Sequence, residues 1–308
     1  MKKSVIIGTR GSKLALYQAY RTKAELEKLF PTLNVSLEII TTKGDRIQDV
    51  ALSKIGDNGL FTQEIEQALL EGRIDLAVHS MKDLPTVFPQ SLKLGAVLER
   101  GEARDALVST EGRKLSELTE KDVIATSSVR RRAQLLKINP NFNIIDIRGN
   151  VDTRIKKWQS GYCTAMIMAG AGLQRLGYDD VISEIVDIKQ MIPAPAQGTI
   201  AIETRKNDAF MDGLMQKLNH ENSWITGRAE YAFLATLEGG CQVPIGCISH
   251  SEADKFIIQG IVLSPNGEKF IQGSLQSHVD NAVATAEKLA ASFMERGALQ
   301  IIGEIERF

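Results

Sequence analysis

The sequence predicts an α/β protein built from two strand-and-helix lobes and a small α+β domain. Three observations predict it. Short apolar runs alternate with amphipathic stretches over the first two-thirds of the chain, and the alternation restarts near Asp105. After Glu221 it gives way to a helix, β-like stretches and a closing helix. At 308 residues the chain also exceeds what one hydrophobic core usually organises.

The first strand is predicted over 5–7, where an apolar run follows a basic start. Arg10 ends that run too soon for an export signal. A helix over 13–30, a strand over 35–41, a helix over 59–70 and a strand over 76–78 follow, giving a largely parallel sheet. Leu98-Glu99-Arg100-Gly101-Glu102-Ala103-Arg104 reads as a polar connector. The second series has strands around 123–126, 144–147 and 165–168, with helices beginning after Ser128, Asp152 and Gly170. Ile192-Pro193-Ala194-Pro195-Ala196-Gln197-Gly198 is a second, stiffer connector, and two connectors imply that the chain crosses between lobes twice. The last domain is predicted as a helix over 225–237, a glycine-flanked cysteine loop, β-stretches over 256–263 and 269–276, and a helix over 281–295. Ser264-Pro265-Asn266-Gly267 supplies the hairpin turn.

Hydrophobic residues at 43% and charged residues at 24% argue against disorder and coiled coil, and no apolar run reaches bilayer-crossing length. A formal charge of −1 offers nucleic acid no global attraction. Three cysteines spread over the chain fit free thiols in a reducing cytoplasm better than a disulfide framework.

The candidate chemistry lies where strands run into helices. Thr9-Arg10-Gly11-Ser12 and Thr126-Ser127-Ser128 each pass from a strand into a helix start, bringing hydroxyls and free backbone N–H groups to a strand's carboxyl end. Such ends bind anions. Arg10 sits beside the first, and Arg130, Arg131 and Arg132 follow the second, where they oppose the helix dipole unless an anion offsets them. Arg148-Gly149-Asn150-Val151-Asp152-Thr153-Arg154 repeats the theme, so a ligand with several carboxylates or phosphates is expected. His79-Ser80-Met81-Lys82-Asp83 follows a strand directly. Asp83 is there either a surface partner of Lys82 or a carboxylate aimed into a cleft as general acid or cation stabiliser. His79 reads as a structural histidine, and none of the four histidines suits a Ser-His-Asp hydrolase.

Met168-Ala169-Gly170-Ala171-Gly172-Leu173-Gln174-Arg175 imitates a dinucleotide fingerprint but has Arg175 in place of the third glycine. Cys241, Cys247 and His250 supply too few ligands, in the wrong spacing, for structural zinc, so no metal is expected. Cys163 reads as a buried strand residue. Cys241 differs, because Gly239 and Gly240 strip steric cover from it while Pro244 and Gly246 hold the loop. It reads as a covalent attachment point, and spacing alone does not say for what.

Taken together, Thr9-Arg10-Gly11-Ser12, Ala77-Val78-His79-Ser80-Met81-Lys82-Asp83, Thr126-Ser127-Ser128-Val129-Arg130-Arg131, Arg148-Gly149-Asn150-Val151 and Leu237-Glu238-Gly239-Gly240-Cys241-Gln242-Val243-Pro244-Ile245-Gly246 resemble the porphobilinogen deaminase (hydroxymethylbilane synthase) family over nearly the whole chain. The resemblance implies two lobes like those of periplasmic binding proteins plus the small cysteine-bearing domain. Lobe one would span 1–98 with 199–216, lobe two 104–192 and the C-terminal domain 221–308. It implies a cytoplasmic, monomeric transferase that joins four porphobilinogens head to tail with loss of ammonia and releases hydroxymethylbilane by hydrolysis. A dipyrromethane primer on a Cys241 thioether is implied as cofactor. Asp83 is implied as the catalytic aspartate that stabilises a cationic azafulvene-like intermediate, flanked by Ser80 and Lys82. Arg10, Ser12, Thr126, Ser128, Arg130, Arg131, Arg148, Arg154 and Arg175 are implied contacts to the acetate and propionate arms.

Two departures stand out. Gly56-Asp57-Asn58-Gly59-Leu60-Phe61 replaces the family's Gly-Gly-Lys-Gly-Leu-Phe, losing a lysine and gaining an acid. Ala125 and Ala196 replace frequent glycines, which is tolerable where φ is negative. Two rivals remain: an anion-binding protein of the same two-lobed architecture, which leaves Cys241 without a role, and a thiol-dependent or zinc enzyme.

Overall fold

A computed structural model describes residues 4–46, 62–237 and 243–303. The chain opens with β1 (Ser4–Thr9), α1 (Lys13–Leu29), β2 (Asn34–Ile39), the short α2 (Lys43–Arg46), α3 (Gln63–Leu70), β3 (Leu76–Ser80) and β4 (Leu92–Val97). Next come β5 (Asp105–Ser109), β6 (Val123–Ala125), α4 (Val129–Ile138), β7 (Asn143–Ile145), α5 (Val151–Gln159), β8 (Ala165–Ala169), α6 (Gly170–Gln174) and β9 (Glu184–Ile185). They are followed by β10 (Ile200–Arg205), α7 (Ala209–Leu218), α8 (Glu221–Thr236), β11 (Ile245–Glu252), β12 (Lys255–Leu263), β13 (Phe270–His278), α9 (Ala282–Glu295) and α10 (Ala298–Gly303). The chain divides into two compact units, Met1–Arg100 with Thr199–Trp224, and Gly101–Gly198 with Ile225–Phe308.

In the first unit the sheet order is β2-β1-β3-β10-β4, and β10 runs antiparallel to both of its neighbours. Alternation along β1 explains the layers. Val5 and Ile7 pack with Ala19 and Leu26 of α1 and Met211 and Leu214 of α7. Ile6 points the other way, toward Ile65 and Leu69 of α3. The predicted strand and helix order holds, but β4, β10 and α7 were not read from the sequence.

The second unit holds a sheet of order β7-β6-β8-β5-β9, with β5 as its antiparallel strand. Position for position this is the plan of the first sheet. The sequence echo between the β1–α1 and β6–α4 junctions therefore marks equivalent places, each strand lying second from an edge. Its predicted helix start after Asp152 moves back to Val151, because the Asn150 side chain accepts the Thr153 N–H at 3.0 Å and caps α5 there. Cys163 is buried as expected but lies in the turn before β8 rather than in a strand, and burial pushes its thiol up to about 11.

The same unit carries an antiparallel β11-β12-β13 meander under α9. Phe233 of α8 meets Phe293 of α9 edge to face, with centroids 5.5 Å apart and planes at 84°. A Cβ at Gly260 would stand 2.4 Å from the Phe233 ring, so β12 can pass under that ring only as glycine. Cys247, on β11, is fully buried, and the His250 side chain is 73% exposed, so these two do not converge on a metal. Cys241 and the Asp57-Asn58 departure lie outside the described residues.

The connectors run alongside one another, with the Gly101 N–H donating to Gly198 O at 3.0 Å and the Leu98 N–H to Ile200 O at 3.0 Å. Within them the condition under which alanine is tolerable, a negative φ, is not met at Ala196, which has φ 57° and is fully buried. Glu230 of α8 holds it there: Oε2 accepts the Ala196 N–H at 2.6 Å while Oε1 accepts the Ser249 N–H at 2.7 Å. Ala125, by contrast, is ordinary extended strand. Replacing Ala196 with glycine relieves a left-handed alanine at the cost of a looser unfolded chain. Ala196→Gly is therefore expected to stabilise the protein by about 0.5–1 kcal/mol, read as a higher urea midpoint at unchanged slope.

Candidate active site

In the first unit the carboxyl ends of β1 and β3 meet the start of α1. Ser12 caps α1, its hydroxyl accepting the Ala15 N–H at 3.3 Å, and the Thr9 hydroxyl donates to Ala15 O at 3.2 Å. β3 ends in a single 3-10 turn, Met81–Asp83, tied down by the Met81 N–H on Thr199 O at 2.9 Å and the Leu84 N–H on Met81 O at 3.0 Å. That turn leaves Asp83 exposed and Met81 buried beneath it. Arg10, Ser12, Gln18, His79, Ser80 and Asp83 line one pocket, so the residues predicted from two separate motifs converge. Lys82 lies beside it, partly buried.

Gln18 was not foreseen. It is buried on α1 and donates from Nε2 to the Ser80 hydroxyl at 2.8 Å, fixing that hydroxyl over the pocket. Asp45 is the second surprise, since Arg10 clasps it through Nε (3.1 Å) and a closer Nη2 contact. Burial works to raise the Asp45 carboxyl, but the Arg10 guanidinium and the N–H and hydroxyl of Thr42 outweigh it and hold the group below the usual carboxylate range. Arg10 thus reaches the pocket already paired.

In the second unit the corresponding strand ends carry Thr126, Ser128, Arg148 and Arg154. Ser128 caps α4, accepting the Arg131 N–H at 3.4 Å, and Thr126 is buried with its hydroxyl accepting the Ser128 N–H at 3.2 Å. After β7 the turn at Gly149 has φ 111°, and a Cβ there would lie 2.6 Å from the Thr153 methyl. Glycine is required for Arg148 and α5 to sit so close. Arg154 Nε donates to Gly149 O at 2.8 Å. Among the described residues, the Arg148 guanidinium is the one of the six predicted arginines that donates no hydrogen bond.

The structure corrects the reason for expecting an external polyanion at α4. Two of its three arginines are internal: Arg130 and Arg131 are 4% and 6% exposed and share Asp105, which is fully buried at the start of β5. Arg130 Nη1 lies 2.7 Å from Asp105 Oδ2, and Arg131 Nη2 lies 2.8 Å from Oδ1. Gln197 of the second connector adds an Nε2–H on Oδ1 at 2.9 Å. The offsetting anion is therefore a side chain of the protein. Arg175 is engaged as well, donating to Gly198 O at 2.5 Å. A guanidinium carries five N–H donors, so these three keep spare donors, but the charges of Arg130 and Arg131 are already offset by Asp105.

The surrounding family is visible in comparison. A family model described as "Porphobilinogen deaminase, dipyromethane cofactor binding domain" matches residues 5–213, and another described as "Porphobilinogen deaminase, C-terminal domain" matches residues 224–295. A porphobilinogen deaminase of Carboxydothermus hydrogenoformans is 43% identical over 307 residues, covering 100% of this chain and 99% of that protein. One from Chloroherpeton thalassium is 44% identical over 309 residues, covering 99% of this chain and 98% of that protein.

Proposed function

Because the chain belongs to the porphobilinogen deaminase family, we propose that it is a hydroxymethylbilane synthase that adds porphobilinogen units stepwise through Asp83 to a primer anchored on Cys241. The observation that carries this reading is the meeting, in one pocket, of an exposed carboxylate with an arginine and a serine-capped helix start. Among the described residues no group of three or more His, Cys, Asp or Glu side chains is placed to hold a metal ion.

The dipyrromethane fits the donor set present. Its acetate and propionate arms are anions, and capped helix starts with arginines beside them occur in each unit taken by itself, Arg10 with Ser12 in the first, and in the second Arg148 and Arg154 about the Asn150-capped start of α5, with Ser128 capping α4. Arg148, whose guanidinium is uncommitted, is the readiest partner for a carboxylate arm. Thr126, Arg130, Arg131 and Arg175 hold these strand ends in shape and offer their remaining donors. When bound, the dipyrromethane supplies the ring carbon to which the first substrate is joined.

The protein's own part follows from charge. Porphobilinogen loses its amine as ammonia, which leaves a cation on the substrate ring and its methylene. Asp83, exposed in the pocket, is placed to accept the pyrrole N–H and to offset that cation as it forms. Ser80, held by Gln18, and Lys82 border the same carboxylate and orient the substrate's own carboxylates away from it. Cys241 is assigned as the thioether anchor by its place in the Gly239-Gly240-Cys241 run.

Intact-mass measurement tests the reading. The purified chain should carry a covalent excess of two pyrrole units, and Cys241→Ser should lose all of it. An unmodified wild-type chain, or a Cys241→Ser chain that keeps the added mass, would overturn the assignment.

A further inference from the structure

Behind Asp83 lies a polar cluster that the reading above does not use. His79, on β3, stands opposite Ala201 of β10, and Glu203, two residues further along β10, shares its face of the sheet. The His79 Nε2 is 3.2 Å from Glu203 Oε2, with side chains 5% and 0% exposed. Neither that nitrogen nor either Glu203 oxygen makes a hydrogen bond among the described residues, and Thr62 Oγ1 and Glu66 Oε1 are likewise enclosed without one. A buried carboxylate in this state needs a proton or a cation beside it. Burial raises the Glu66 carboxyl above its ordinary value, Thr62 opposes the rise and the nearby Glu203 adds to it. The charged or titratable groups around the imidazole are then Glu203 from β10, Glu66 from α3, and Asp83 and Arg10 in the pocket.

His79 is also one of the residues that line the pocket holding Asp83. Beside the Asp83 carboxylate, His79 is the residue of that pocket whose side chain carries a basic ring nitrogen; the others carry a guanidinium, hydroxyls, an amide and alkyl groups. Asp83 must stay ionised while the cation forms. We infer that His79, backed by Glu203, is the acceptor for the proton that each condensation releases. This assignment rests on the deaminase reading.

The step balances. The protonated aminomethyl group breaks its C–N bond and leaves as ammonia, and the resulting cationic methylene bonds to the free α-carbon of the acceptor pyrrole. That α-carbon gives its proton to His79 Nδ1 while the C–H electron pair restores the aromatic ring. Nε2–H faces Glu203, whose carboxylate stabilises the imidazolium. Transfer of the proton to the departing ammonia yields ammonium and resets the histidine. Glu203 is a positioning residue, acting through the imidazole.

Two measurements on the primed, full-length protein test this. In 15N-histidine-labelled protein, the ring 15N signals of His79, assigned by their loss in His79→Asn, should shift in Glu203→Gln, because the imidazole loses the carboxylate beside it. In steady state, His79→Asn should lower kcat about 100-fold and Glu203→Gln roughly 10-fold. With porphobilinogen deuterated at its free α-carbon, both variants should show a larger primary isotope effect than wild type, because ring deprotonation becomes limiting. A merely structural role would slow turnover without raising that effect, and this result overturns the inference. So does turnover within about threefold of wild type in either variant. If His79→Asn does not fold, the nearly isosteric Glu203→Gln carries both readouts. A wild-type chain that carries no primer and does not consume porphobilinogen overturns the deaminase reading, and this assignment with it.

Discussion

Asp83→Asn should fold as the wild type does and lose turnover by about 10²- to 10⁴-fold in a steady-state assay of porphobilinogen consumption. The two halves of that expectation rest on separate observations. Asp83 is exposed at the end of a turn whose geometry is set by backbone bonds of Met81 and Leu84, so the amide costs little stability, within about 0.5 kcal/mol. The lost charge is another matter. A carboxylamide still accepts a pyrrole N–H but does not neutralise the cation left when ammonia departs, and Arg10 in the same pocket makes an uncompensated cation costlier still. The fall should appear in kcat more than in KM, since the interaction strengthens as charge develops. A loss of less than tenfold would remove Asp83 from the chemistry.

Asp105→Asn is expected to be the most damaging single substitution to stability described here, lowering it by roughly 3–5 kcal/mol. One carboxylate offsets both Arg130 and Arg131 and accepts from Gln197, all inside the protein. An asparagine there would leave two buried guanidiniums facing a neutral amide. Burial works to raise the Asp105 carboxyl, but Arg130 and Arg131 outweigh it and hold the group far below the ordinary value. A depressed folded pKa fixes the sign of the pH dependence: the contribution is complete above the unfolded value of about 4 and is lost only as pH falls well beneath it. The variant should therefore lose stability near neutral pH and show a shallower further loss in acid than wild type. Urea unfolding at pH 7 and pH 3 measures both, and a neutral-pH loss under about 1 kcal/mol would refute the claim.

Much of the site was legible in the sequence because its parts are local. A Thr-Arg-Gly-Ser or Thr-Ser-Ser run between an apolar strand and an amphipathic helix states its own geometry, and Ser12 and Ser128 cap where those runs said they would. Asp83 follows its strand by three residues. What stayed hidden depends on partners distant in sequence. Asp105 stands 25 residues before Arg130, on a strand whose five residues gave no periodic signal, so the α4 arginines looked unopposed. Glu203 is an acid inside the apolar run of β10, a signal of buried charge that could have been read, whereas its partner His79 could not be named before the antiparallel register was known. The sign of φ at Ala196 stayed open in the sequence because it is set with Glu230, 34 residues on.

The antiparallel strand in each sheet has a further consequence, which concerns how the protein is made. The second five-stranded sheet takes every strand from one continuous stretch between Asp105 and Ile185, so it can close as soon as that stretch has left the ribosome. The first cannot: β3 and β4 never touch as ladder partners, and β10, which separates them, is synthesised more than a hundred residues after β3. At about 5–20 residues per second, β4 waits on the order of ten seconds with both edges unpaired. The unit that carries Asp83 is begun first and finished later, and during that interval the nascent chain exposes strand edges that a chaperone could shield.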